Sequence, residues 1–566
     1  MGRHHHTKIL LALLCALALL AAACGSADDE ETSEAAELTQ EESAVDFDDA
    51  SGGADDGFAV ETDDAMEEEA MEDEAASGSA APATTTTAPS VEQTQGGAAR
   101  DGFFGEGEGD AEAEDTQANN TFADYGVRPF VATARDPLST FALDVDTASY
   151  VIARQWADQG VYPPREAIRL EEFVNRFDYG YPAPNDGLAV VADAGPSPFN
   201  ADNVIVRLGV KGEEVANADR PEASLTFVVD TSGSMDRSNR LDLVKLSLER
   251  LVFELSDDDT VALVTYSDGA DVLLPPTPAS DTNQIIDAIR SLRPDGSTNL
   301  EAGLQTGYDL ANEAFNDTGI NRVVLASDGV ANVGLVDPAG LTSLIRGDAD
   351  KGIQLVTVGV GMGNFNDVVL EQLANDGDGF YAYVNDEREA DRLFGDELVS
   401  TLLTVAIDGK IQVEFDADNV AEYRLLGFEN RAVLDDDFRN DEVDAGELGA
   451  GHEVTALYEL RLNDGVSASD RLGTAQLRWQ DPDSGDVVET RLELTGAILE
   501  DDWAATSDDF RLAVTVAALA EILRESPHQG EITLADVEAE AQEIADGGRA
   551  DVADLVELAS RLRQIR

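Results

Sequence analysis

Between residues 224 and 404, short apolar runs alternate with stretches of helical spacing, and this alternation limits the fold more than any other feature of the chain. The runs at 225–229, 260–266, 322–326 and 354–360 have strand length and are almost continuously apolar. A strand with one wet face alternates polar and apolar residues; a continuous run is buried on both faces. Between these runs, 241–255, 282–292, 300–315, 338–346 and 367–374 repeat apolar residues at helical intervals. Doubly buried strands separated by helices form a parallel sheet with helices on either side. A strand over 379–384 and a helix over 387–403 complete an α/β domain, residues 223–404, with a doubly wound, mostly parallel sheet.

The flanks read differently. Residues 188–194 and 204–210 alternate around a Gly-Pro-Ser-Pro loop, and alternation returns after 405 in "GKIQVEFD", "EYRLLGFEN", "HEVTALYELRL" and "LGTAQLRWQDPDSGDVVETRLELTG". The last holds Asp-Ser-Gly-Asp between two runs, a hairpin signal. With β pattern on both sides, strands of 186–222 are expected to join 405–500 in one β-sandwich, into which the α/β domain is inserted. Residues 129–185 form an N-terminal α/β segment: a strand at 141–145, a helix at 150–159 capped by Thr147 or Ser149 and closed by Gly160, and a second helix over "PREAIRLEEFVNRF" opening at Pro164. Asp144 and Asp146 beside Thr147 allow a metal site, although a strand end and helix cap explains them more simply. Residues 501–566 are a helical region, with two or three amphipathic helices over 508–565.

Charge narrows the partners. The net charge is −78, and residues 28–115 alone carry 30 acids against the single base Arg100. Binding nucleic acid by neutralising phosphates is excluded on these grounds. Too few apolar residues lie in 25–128 to offset ordering entropy, so this stretch reads as a disordered acidic tether, with a reach on the order of 50–60 Å. Before it, "MGRHHHTK" is basic, 9–23 is apolar or small, and Cys24 follows. Residues 1–24 thus read as a secretory signal, and Cys24 resembles the lipid-modified cysteine of bacterial lipoproteins. The other cysteine, Cys15, lies within the signal, so the mature chain has no disulfide, thiol nucleophile or Cys-based zinc site.

The chemistry centres on "TFVVDTSGSMD". Ligands of doubly wound sheets sit beyond the carboxyl ends of the strands, and Asp230 ends the first strand of the unit. In an extended chain Asp230, Ser232 and Ser234 share one side. Thr298 in "RPDGSTNLEAG" and Asp328 in "VLASDGVAN" end loops on the same rim. Five hard oxygen donors of low total charge suit Mg²⁺ or Mn²⁺ better than zinc. Other chemistries fit less well. "VVDTSGS" differs from the Asp-Thr-Gly of aspartic proteases by an inserted Ser232 and has no second copy, and an Asp-x-Asp phosphatase needs an acid at 232. A hydrolytic metal site needs a base, yet His452 and His528 belong to the other domain. No enzyme activity is expected. The bland alternatives are that each of the five caps a turn, and that Asp236 is a solvated loop acid.

Asp230-x-Ser232-x-Ser234, followed by Thr298 and Asp328, resembles the metal-ion-dependent adhesion site of von Willebrand factor A domains. The resemblance implies that Ser232, Ser234 and Thr298 contact Mg²⁺ (or Mn²⁺, with Ca²⁺ possible), and that Asp230 and Asp328 act directly or through water. The final ligand would be a carboxylate of a partner protein. The segment "FALDVDTASYVIARQWADQGVYPPREAIRLEEFVNRFDYGYP", with the regions after the A domain, resembles a bacterial family of von Willebrand factor A lipoproteins with a C-terminal domain of unknown function, over 130–566. This implies a lipid-anchored extracytoplasmic binding module at the cell membrane, touching the membrane through its anchor alone. The alternative is an envelope scaffold or regulatory subunit whose metal locks one conformation.

Overall fold

The computed structural model describes residues 120–565 apart from 330–337, 363–364 and 442. The expected signal, Cys24 and the tether as far as residue 119 lie outside the described residues. Residues 120–128, expected to belong to the tether, are instead bound to the folded body. Thr121 N donates to Phe365 O at 2.8 Å, and Arg128 Nε donates to Gly427 O at 3.0 Å.

The N-terminal segment opens with strand β1 (Leu138–Ala142) and helix α1 (Ala148–Asp158). The expected hydroxyl cap is absent: Thr147 makes no side-chain capping bond, and Glu172 Oε2 accepts from Ser149 N at 2.7 Å. The single helix expected after Pro164 is broken into a short 3₁₀ turn, Arg165–Ala167, and helix α2 (Leu170–Val174). Arg169 between them is extended, which sends its buried guanidinium to Asp367 at 2.7 Å and Glu371 at 2.6 Å. Tertiary ion pairs override helix propensity here. Strands β2 (Leu188–Pro196) and β3 (Val204–Gly212) then form an antiparallel pair.

The inserted domain runs β4 (Ala223–Asp230), α3 (Arg240–Glu254), β5 (Thr260–Tyr266), β6 (Ala270–Pro278), α4 (Thr282–Ser291), α5 (Leu300–Glu313), β7 (Ile320–Ser327), α6 (Pro338–Ala349), β8 (Ile353–Val360), α7 (Asp367–Asn375), β9 (Tyr381–Val384), α8 (Glu387–Asp391) and α9 (Leu398–Leu402). Its sheet order is β9-β8-β7-β4-β5-β6, parallel throughout except for the antiparallel edge strand β6. Strand β6 was not foreseen, because Pro275, Pro276 and Pro278 argue against a strand; an edge tolerates them. The helix expected over 387–403 is interrupted by a π turn, Arg392–Asp396, and Arg392 pairs with both Glu389 and Glu397. Successive residues of β4 serve opposite cores. Leu225, Phe227 and Val229 face α3 and α4, while Val228 faces α5 together with Val151, Ile152 and Trp156 of α1. Helix α1 is thus part of the layer covering this sheet, although it precedes the domain in sequence.

The chain then returns to β structure: β10 (Thr404–Phe415), β11 (Val420–Leu426), β12 (Gly446–Gly449), β13 (Glu453–Leu462), β14 (Arg471–Gln480) and β15 (Val487–Thr495). One sheet is ordered β11-β13-β3-β2, extended beyond β11 by the two-residue strand Val131–Ala132; the other is β12-β10-β14-β15, with β1 also on β10. Strand β3 lies antiparallel to β13, Val204 opposite Leu460 and Lys211 opposite Glu453. The α/β domain is therefore an insertion in the sandwich, as the β pattern on its two sides predicts. Helices α10 (Asp508–Leu523), α11 (Leu534–Asp546) and α12 (Ala553–Ile565) follow. They share one core with Ile205, Leu426 and Leu457 of the first sheet and Phe173 of α2.

Candidate metal centre

Strand β4 lies between β5 and β7, and the strand order reverses there. In doubly wound sheets the loops diverge at such a point, and ligands bind in the crevice between them. Asp230 is fully buried at the end of β4, and Asp328 directly follows β7 with 4% of its surface exposed. The serines of the intervening loop join them. Ser232 N donates to Asp230 Oδ1 at 2.8 Å; the Ser232 and Ser234 hydroxyls are 2.8 Å apart; Ser234 Oγ donates to Asp328 Oδ1 at 3.0 Å. Four of the five expected residues are thus linked by hydrogen bonds, Asp230 through the Ser232 amide and Ser232, Ser234 and Asp328 through side-chain oxygens.

The fifth, Thr298, is buried on a loop laced to the serine loop. Gly233 N donates to Gly296 O at 3.0 Å, and Asp295 N to Thr231 O at 2.6 Å. Gly296 has φ +77°, and a Cβ there would sit 3.2 Å from the Asp268 carboxylate, so this turn needs glycine. Asn299 closes the loop by accepting from Ala302 N as the cap of α5. Of the five, Asp230 does cap a turn, accepting from the amide two residues on, whereas the serine hydroxyls bond to each other and to an acid. Asp236 is exposed.

Two residues of the crevice escaped the sequence reading. Ser327 Oγ donates to Asp230 Oδ2 at 2.9 Å. Arg240, on the first turn of α3, pairs through Nη1 with Asp328 and reaches Met362 O through Nη2. No spacing rule links an arginine to a carboxylate 88 residues away; only the sheet order brings them together. Burial, and secondarily repulsion from Asp328, push the Asp230 carboxyl up to about 6 against the bonds from Ser232 and Ser327. A buried acid facing another acid across two hydroxyls is a poor hydrophobic core and a good hard-cation cradle. The donor set fits a divalent metal, which Asp230, Ser232, Ser234 and Asp328 would hold, with Thr298 on the adjoining loop.

The fold and crevice together define a von Willebrand factor A domain, a class of protein-interaction module that commonly binds a divalent metal. The von Willebrand factor type A domain model matches residues 224–396, a von Willebrand factor model matches 116–207, and the model of the C-terminal region of "Uncharacterized protein YfbK" matches 400–562. The chain is 34% identical over 477 residues to "Uncharacterized protein YfbK" of Escherichia coli (strain K12), spanning 78% of this chain and 82% of that protein. It belongs to the YfbK family of von Willebrand factor A-domain proteins. It is also 24% identical over 291 residues to "Uncharacterized protein sll0103" of a Synechocystis strain, spanning 50% of this chain and 67% of that one. Among solved structures, the von Willebrand factor type A protein from Catenulispora acidiphila is similar at 15% identity, over 69% of this chain and 91% of that chain, with a TM-score of 0.40.

Proposed function

We propose that this protein is a lipid-anchored, extracytoplasmic, non-enzymatic binding module that captures an acidic side chain of a partner protein at the A-domain crevice. The observation that supports this reading is the hydrogen-bonded series from Asp230 through the Ser232 amide and the Ser232 and Ser234 hydroxyls to Asp328 at the switch point of the sheet. A hard divalent cation bound there supplies a positive centre that its low-charge ligands do not fully neutralise. Asp236 and Asp295 on these loops, and Asp268 in the β5–β6 turn bonded to Ser297, are exposed, so a lone carboxylate is repelled and a partner segment that also carries Lys or Arg is favoured. Anchoring at Cys24 and the acidic stretch that follows would hold the module away from the bilayer. Among the described residues no helix is long and apolar enough to cross a membrane.

A second reading, an envelope scaffold whose metal fixes the conformation of the A domain, is favoured by Arg431. This residue of the β region pairs with Asp144 and Asp146 of the N-terminal segment and lies 3.6 Å from Glu371 of the A domain. Thermal melting of wild type and Ser232→Ala/Ser234→Ala in Mg²⁺, Mn²⁺, Ca²⁺ or EDTA is the first test. At 100 times the dissociation constant the metal adds about 2.7 kcal/mol to wild type and nothing specific to the variant. Equal responses would remove the chemical basis of the adhesion-site reading. Partner capture with and without EDTA then separates the two readings, since a scaffold keeps its partners in EDTA and metal-bridged capture loses them.

A further inference from the structure

Away from the crevice, the junction of the N-terminal segment, the A domain and the β region holds a buried excess of negative charge. Asp144, Asp146 and Glu172 are 3%, 2% and 0% exposed, and each places a carboxylate oxygen within 4.8 Å of the other two. Asp367 and Glu371 of α7 complete five buried acids, and the guanidinium groups that face them are Arg169 and Arg431. Two positive charges against five negative ones leave three, of which one divalent cation would balance two and a retained proton the third. Burying uncompensated carboxylates is too costly for this to stand without a counter-charge.

The hydrogen bonds show which oxygens remain. Asp146 Oδ1 accepts from Tyr381 N at 2.9 Å and Oδ2 from Arg431 at 2.9 Å. Asp144 Oδ1 accepts from Asp146 N at 3.0 Å and from Arg431 at 3.2 Å. Glu172 accepts from Ser149 N with Oε2, and its Oε1 pairs with Arg169. Asp144 Oδ2 is buried with no hydrogen-bond partner, in a side chain that faces the other two carboxylates. Burial pushes both aspartate carboxyls upward; Asp144 adds repulsion at Asp146, and at Asp144 burial outweighs the pull of Arg431.

We propose that Asp144, Asp146 and Glu172 form a second cation site that takes Ca²⁺ and fastens the N-terminal segment to the A domain and the β region. Oxygens that all lie within 4.8 Å of one another fit around one ion at the 2.3–2.6 Å bond lengths of calcium. Calcium also tolerates the irregular geometry that fixed guanidinium neighbours impose. A cavity of about 140 Å³ is lined by Val145, Thr147, Asn175 and Tyr381, residues next to or bonded to the acids. The site is independent of the adhesion-site reading, since no ligand is shared.

Radiocalcium equilibrium dialysis of the full chain in excess Mg²⁺ and 0.15 M salt tests the proposal. Salt suppresses diffuse binding to so acidic a surface. The Ser232→Ala/Ser234→Ala variant, which leaves the buried cluster untouched, should hold one Ca²⁺ per chain. Adding Asp144→Asn or Asp146→Asn should weaken that ion at least tenfold. Hydrogen exchange at the Tyr381 and Ser149 amides provides a readout needing no change in the cluster, and Ca²⁺ should slow both. Absence of a stoichiometric Ca²⁺ in the serine variant, or Ca²⁺ binding unchanged by Asp146→Asn, or exchange indifferent to Ca²⁺, would each overturn the site and leave protons as the neutralising charge.

Discussion

Asp230 carries the sharpest consequence at the scale of single residues. Its carboxyl is raised from 3.8 to about 6 by burial and by Asp328, so the metal-free folded state holds this proton more tightly than the unfolded chain does. The native state therefore loses stability as pH rises from about 4 to about 6, and above that the cost is about 3 kcal/mol. Asp230→Asn should remove this cost: in EDTA at pH 7 the variant melts higher than wild type, and the two converge toward pH 4. The same change should abolish Mg²⁺-dependent stabilisation, because one oxygen ligand becomes a neutral amide. A variant that melts lower than wild type at pH 7 would show that the acid is structurally required.

At the scale of elements, close packing of α5 on the sheet sets where the Thr298 loop can lie. A Cβ at Gly307 would meet Val228 Cγ2 of β4 at 2.4 Å, and a stiff valine cannot step aside. Gly307→Ala should cost about 1–3 kcal/mol and weaken metal binding by displacing the start of α5, read by melting in EDTA and in Mg²⁺. The broken helix at 387–402 has its own electrostatic keystone. Burial raises the Glu389 carboxyl, but Arg392, Arg176 and Arg154 overcome this and hold it at about 2. A depressed carboxyl contributes stability above its unfolded value, lost as pH falls from 4.5 toward 2. Glu389→Gln should cost about 3 kcal/mol at pH 7, with the deficit falling to less than half of that at pH 3; denaturant melts at pH 7 and pH 3 check this.

For the molecule as a whole, discontinuity predicts cooperativity. Strands β2 and β3 are needed by β13, β1 is needed by β10, and α1 covers Tyr381 and Tyr383 of β9. A chain starting at residue 223 leaves a long exposed sheet edge on β13 and should be recovered as aggregate. The chain from 120 onward should stay soluble and show one calorimetric transition. Separate transitions for the A domain and the sandwich would show that the shared interfaces contribute little.

The alternating runs of 224–404 and the β patterns beside them were enough to read a doubly wound sheet inserted in a sandwich, because hydrophobic periodicity is local and each strand records how many of its faces are buried. The order Asp230, Ser232, Ser234, Thr298, Asp328 was legible for a related reason: three of the five lie at period two, Thr298 stands just before a helix, and Asp328 stands at the end of a later strand on the same rim of the sheet. Other features left no local trace. Strand β6 is hidden by its prolines, the helix after Pro164 is broken by ion pairs of Arg169 with α7, and residues 120–128 dock on groups some 240 to 300 positions away. The pairing of Arg240 with Asp328, and the gathering of Asp144, Asp146 and Glu172 under Arg431, exist only once three parts of the chain meet. Periodicity reports burial along one element; which charges share that burial is decided by the packing of elements distant in sequence.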